Sequence, residues 1–187
     1  MKRCCGSSIG VIIRDEHGRY LMIERGWWPV GHAPVAGHVY DQHADPVAAA
    51  LAEVEEEVGL TVVDLKPVLG PVHLPNLCAS LPAEPTPGHT WWVVEATVTG
   101  TLRPAEGETK GARWYTPGQV QALAQRTIDH ARGVVGTEEF TAHPGLEAVW
   151  IDLLHRASHL EVAEEDLLAA RELYTAPPPE HWLGGRR

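Results

Sequence analysis

Residues 37–60 read GHVYDQHADPVAAALAEVEEEVGL, a loop followed by a helix, a turn and the start of a strand. Asp45 and Pro46 open the helix, because an aspartate accepts hydrogen bonds from the first free amides and proline's fixed φ suits the first helical position. Val47, Leu51, Val54 and Val58 recur at spacings of four, three and four, which lines them up along one side of a helix. They are the predicted buried side. At about 100° per residue, Glu53, Glu56 and Glu57 gather on the opposite side, with Glu53 and Glu57 one turn apart. Gly59 closes the helix where a positive φ is favoured, and Leu60-Thr61-Val62-Val63 begins a β-like run.

Like charges one turn apart repel by a few tenths of a kcal/mol, so three carboxylates on one helix need either open solvent or a cation. A solvated acidic face satisfies the first condition. The second points to a hard divalent ion, since Mg²⁺ takes oxygen ligands and is commonly shared between one or two carboxylates, waters and substrate phosphates.

Gly37 and the run Glu53-Val54-Glu55-Glu56-Glu57-Val58-Gly59-Leu60 resemble the Nudix box, G-x5-E-x7-R-E-U-x-E-E-x-G-U with U a bulky aliphatic residue. The second half matches without a gap. In the first half Gly37 stands one residue farther from Glu53 than the pattern has it, His43 or Ala44 takes the place of the first Glu, and Ala52 replaces the Arg. A one-residue insertion in the loop between Val39 and Asp45 accounts for the spacing, because the helix keeps its register.

The resemblance implies an α/β fold, an α/β/α sandwich around a mixed β-sheet. It implies a Nudix-like domain over residues 1–158, with its catalytic loop-helix-loop at 37–60. Residues 159–187 then form a C-terminal helix and tail packed on the domain or on a partner subunit. The implied activity is metal-dependent hydrolysis of a pyrophosphate bond in a nucleoside diphosphate linked to another moiety, with Mg²⁺ or Mn²⁺ as cofactor. Glu53, Glu56 and Glu57 would be the catalytic and metal-holding residues, with the backbone at Gly37 lying against the ion. Two other classes stay open: a nucleotide-binding sensor whose altered box no longer hydrolyses, and an assembly protein with an acidic surface helix.

Length, charge and cysteines are consistent with this. The 187 residues, 44% of them hydrophobic, suffice for one well-buried domain with an extension. A formal net charge of -10 disfavours nucleic acid and anionic membranes, which need basic patches, but not a nucleotide held through a cation. Cys4, Cys5 and Cys78 show no paired spacing, so a reducing cytoplasm fits better than a disulfide framework. The apolar run Ile9–Ile13 is too short for a signal segment or a membrane span. A homodimer is left open.

Outside the box, Ser8–Arg14 and Tyr20–Arg25 flank a Gly-containing turn and read as a β-hairpin. The expected substrate-binding set is Arg25, Trp27, Trp28 and His38: the tryptophans to stack on a base, Arg25 and His38 to meet phosphate. Packing of the rings, and solvation of Arg25 and His38, are the plainer alternatives. Thr61–Leu69 reads as a strand and Pro71–His89 as an irregular loop over the substrate. His73, Cys78 and His89 in that loop match no zinc spacing, and no fourth ligand is evident. Thr90–Thr99 reads as a central strand whose more apolar face carries Trp92, Val94, Ala96 and Val98, leaving Glu95 toward the site or solvent. Glu106 and Glu108 are expected exposed, and Ala112–Tyr115 is a short strand. A helix follows from Thr116-Pro117, then a loop over 133–144 whose Glu138 and Glu139, like Glu95, are candidates for an additional base or ligand. Leu146–Ala157 and Ala163–Tyr174 read as the last two helices.

Overall fold

The computed structural model describes residues 3–82, 88–107 and 109–179. The expectations for Met1, Lys2, Glu108, residues 83–87 and the tail beyond Pro179 lie outside them. In chain order the described elements are β1 (Arg3–Cys4), β2 (Ser7–Ile13), β3 (Tyr20–Arg25), β4 (His32–Ala33), β5 (Val35–His38) and α1 (Pro46–Val58). After these come β6 (Thr61–Leu74), β7 (Leu81–Pro82), β8 (His89–Thr99), β9 (Thr109–Tyr115), α2 (Pro117–Ala131), α3 (Thr137–Ala142), α4 (Ala148–Arg156) and α5 (Glu164–Thr175).

A four-stranded mixed sheet has the order β5-β2-β8-β6. Its centre is the parallel pair β2 and β8, with β5 and β6 antiparallel on the outside. A second sheet, β4-β3-β9, is antiparallel, and β1 and β7 form a short parallel pair. The expected hairpin does not form. Asp15–Gly18 does make the tight turn, with the Gly18 amide bonded to the Asp15 carbonyl at 2.9 Å. Beyond one bridge, Arg14 to Tyr20, the chain leaves the first sheet and enters the second. Two good strands joined by a good turn therefore part company because each finds a longer-range partner.

Successive residues of a strand face opposite sides of the sheet, and two glycines show what lies on each. Ile9 is opposite Gly37 in register, and a Cβ on Gly37 would meet the Glu53 side chain of α1. The next residue of β2, Gly10, points the other way, where a Cβ would lie 2.3 Å from Cη2 of Trp150 in α4. The mixed sheet is thus covered by α1 on one face and α4 on the other. Covering both faces corrects the expectation for β8: Trp91 and Val93, at 5% and 1% exposure, are buried beneath α4, while Trp92 on the supposedly more apolar face is half-buried. Trp91 meets Trp150 edge to face with centroids 5.7 Å apart.

β6 continues past its expected end at Leu69 to Leu74, through Pro67 and Pro71. Proline lacks the ladder amide and is tolerated at edges and bulges. β6 is an edge strand, with register shifts between Val62 and Asp64, Pro67 and Leu69, and Leu69 and Val72. Residues 133–144, expected as a loop, contain the short helix α3. α5 docks against α4 through the Tyr174 hydroxyl, which donates to Asp152 at 3.1 Å, and against α2 through Arg132 and Asp166 at 2.7 Å.

Candidate active site

α1 begins as the sequence predicts, with the Asp45 carboxylate accepting from the Ala48 amide at 2.8 Å, and ends at Gly59 with φ 66°. Its inward face is different from the predicted one. Ala49, Ala50, Val54 and Val58 are buried, whereas Val47 and Leu51 are 56% and 45% exposed. The two alanines, too small to weigh in an apolar pattern, let the helix lie close on β5. Glu53 and Glu57 share the angular sector of Ala49 and Ala50 on a helix of about 100° per residue, so they point into this contact and are half-buried.

Gly37 on β5 receives them. A Cβ there would lie 1.7 Å from Glu53 Oε1 and 2.0 Å from its carboxyl carbon, so no other residue leaves room for this rotamer. One residue earlier, the Ala36 amide donates to Glu57 Oε2 at 3.2 Å. The histidine at the box's first-Glu position also joins: His43 Nε2 lies 4.0 Å from Glu53 Oε1. Its place in the box was the signal for it in the sequence. Glu56 is on the exposed flank of the same helix.

The structure gathers Gly37, Glu53, Glu57 and His43, and uses the other candidates elsewhere. Arg25 donates from Nε to the Pro29 carbonyl at 2.8 Å and pairs through Nη1 with Glu147 at 3.4 Å. Trp28 lines a cavity of about 430 Å³, together with Val30, Thr127, Phe140, Glu147 and Tyr174, and Trp27 is half-buried beside it in sequence. His38 turns toward Cys4 and His89. Glu95 is held by Arg14 at 2.6 Å, four positions along β8 from Trp91. Glu138 and Glu139 are exposed on α3, the latter bonded to Arg126 at 3.1 Å, while Thr137, Phe140 and Thr141 of that helix face the cavity.

Glu147, which sequence reasoning missed, is 5% exposed in that cavity. Burial pushes its carboxyl above the ordinary range, with Arg25 pulling the other way. An acid directly before the strongly apolar run of α4 was the available signal, since a charged residue so placed is rarely buried without a partner.

The chain belongs to the NUDIX domain family, which matches residues 6–135. The family is one of pyrophosphohydrolases in general, typically dependent on a divalent metal. Among solved structures, a MutT protein from Methanosarcina mazei Go1 is similar at 16% identity and a TM-score of 0.56, covering 84% of this chain and 96% of that one. The E. coli dihydroneopterin triphosphate pyrophosphohydrolase is similar at 21% identity and 0.50, covering 65% and 88%. A NUDIX hydrolase from Nitrosomonas europaea gives 18% and 0.50, covering 65% and 77%. At these identities the likeness is one of fold. Among curated protein sequences none matches this chain. Among the described residues no helix is long and apolar enough to cross a membrane.

Proposed function

We propose that this protein hydrolyses a pyrophosphate bond in a nucleoside diphosphate linked to another moiety, using Mg²⁺ or Mn²⁺ held by Glu53 and Glu57. The observation that carries the reading is the cradle at Gly37: a carboxylate occupies the space a side chain would fill, against bare backbone. Two carboxylates beside an open backbone suit an ion that completes its shell with waters and phosphate oxygens. Bound there, the ion would neutralise phosphate charge and lower the pKa of an attacking water.

The protein's own residues do the rest. The Ala36 amide fixes the Glu57 carboxylate, and Glu56, free to move in solvent, reaches the site through water. Water's oxygen bonds to one phosphorus as the bridging P–O bond breaks, leaving two phosphate-terminated products.

A panel of sugar nucleotides, dinucleoside polyphosphates and nucleoside triphosphates with Mg²⁺ tests this. At least one should be cleaved, and Glu53→Gln and Glu57→Gln should each lower the rate by about 100-fold or more, the scale of losing a group that manages transition-state charge. An unchanged rate in Glu57→Gln would sink the assignment.

A second reading, a nucleotide sensor without turnover, is favoured by Ala52 in place of the box arginine and by His43 beside Glu53. Calorimetry showing tight binding that is indifferent to metal, with the ligand recovered intact, would select it.

A further inference from the structure

On the far side of His38 from the Glu53 cradle, four side chains from four separate segments converge. They are Cys4 of β1, His38 at the end of β5, Cys78 in the loop between β6 and β7, and His89 at the start of β8. One donor atom from each lies within 4.8 Å of all the others, and among the described residues no other set of three or more Cys, His, Asp or Glu does so. Cys4 and His89 are 5% and 3% exposed. The Cys4 sulfur is 3.0 Å from His89 Nε2 and 3.7 Å from His38 Nε2.

The surroundings fix which ring nitrogens face inward with a lone pair. His89 Nδ1 lies 3.0 Å from the Asn76 carbonyl, so it carries the proton and donates. Asn76 is itself held by the Trp91 indole, which donates to its side-chain oxygen at 2.9 Å. His38 Nδ1 faces the Asp41 carboxylate at 3.4 Å, an ion-pair distance that favours the ring proton on Nδ1. Both Nε2 atoms then present lone pairs to one sulfur that has at most one proton to give. The Gly6 amide also donates to that sulfur at 3.3 Å. The cluster is short of positive charge at its centre, and buried polar groups left in that state are costly.

We propose that Cys4, His38, Cys78 and His89 bind a structural zinc ion. Two thiolates and two imidazoles are the donor set of tetrahedral zinc, and Zn²⁺ with two thiolates is electrically neutral, which suits a buried position. Zinc–sulfur and zinc–nitrogen bonds of about 2.3 and 2.0 Å put tetrahedral donors about 3.3–3.8 Å apart, so the wider pairs, none beyond 4.8 Å, close in while Cys4 and His89, at 3.0 Å, open slightly. Four protein ligands leave no open position, which makes the ion structural. Asp41 and the Asn76 carbonyl are the outer partners that orient ligating histidines in such sites. The ion would pin β1 and the 75–80 loop to the residue next to Gly37.

The test is metal analysis of the full chain, purified under reducing conditions and dialysed. About one zinc per chain is expected, and Cys78→Ser and His89→Ala should each lose it. His73→Ala, in the same segment but exposed, and Glu57→Gln, in the other cradle, should keep it. Asp41→Asn should weaken zinc affinity by about 10- to 100-fold. Because ligand variants can misfold, the unaltered chain is also stripped and titrated with Co²⁺, which should give the visible bands of a tetrahedral ion and a thiolate charge-transfer band. A chain that purifies without zinc and gives no such spectrum overturns the proposal. So does a Cys4–Cys78 disulfide in the freshly isolated protein, or loss of zinc in Glu57→Gln but not in Cys78→Ser.

Discussion

A methyl group on Gly37 would have to displace the Glu53 carboxylate. The backbone at Gly37 does not have a positive φ, so Gly37→Ala should fold normally and move only the carboxylate. Displacement of a catalytic group by about 1 Å can cost about 100-fold in rate. That loss is the expected result, with an unchanged melting temperature; a variant that hydrolyses at the parental rate would contradict the cradle. Glu147 makes a separate prediction through its raised pKa. A carboxyl whose folded pKa lies above its unfolded one, about 4.3, stabilises the fold below the unfolded value. That stabilisation is lost as pH rises through the folded value. Glu147→Gln should therefore gain in melting temperature relative to the parent as pH rises from about 4 to neutrality. A pH-independent difference would show that Arg25 cancels the burial cost. At this scale the sequence disclosed the residues that lie in one motif, Gly37, Glu53 and Glu57. It could not disclose Cys4 and His38 as neighbours of His89, because contact across 85 positions is made by sheet topology and leaves no local spacing.

Elements were legible where a local rule governs them and illegible where a distant partner does. The Asp45-Pro46 start and Gly59 stop of α1 lie where capping chemistry puts them. The apolar periodicity gave the right side for Val54 and Val58, but it could not show that the small Ala49 and Ala50, rather than Val47 and Leu51, are the residues turned inward beside them. Strand character in β2 and β3 was equally clear, while their partners were not: alternation says which residues share a face, never which strand lies alongside. The β2–α4 contact gives this scale its test. Gly10→Ala drives a methyl into the buried Trp150 ring, an overpacking change that typically costs about 1–3 kcal/mol. Chemical denaturation should show that loss, and a variant as stable as the parent would mean that α4 can back away from the sheet without penalty.

Over the whole molecule, α5 is tied into the core at several points. Tyr174 bonds Asp152 of α4 and its carbonyl accepts from the Leu77 amide at 2.9 Å, while Asp166 pairs with Arg132, which caps the end of α2. The family match ends at residue 135, yet Trp150, beyond it, is wholly buried against β2 and β8. Helix content and tryptophan fluorescence should accordingly be lost in one coincident transition. An earlier loss of helix would mark α5 as a separately melting part. The prolines of β6 have a different consequence at this scale. A 14-residue edge strand is ordinarily an invitation for another chain to add itself to the sheet. Here Pro67 and Pro71, with three register shifts along the strand, interrupt the row of groups such an intruder would have to bond. The long border of the sheet along β6 is thereby guarded against fibre-like growth, and a lasting contact made at that border has to use side chains.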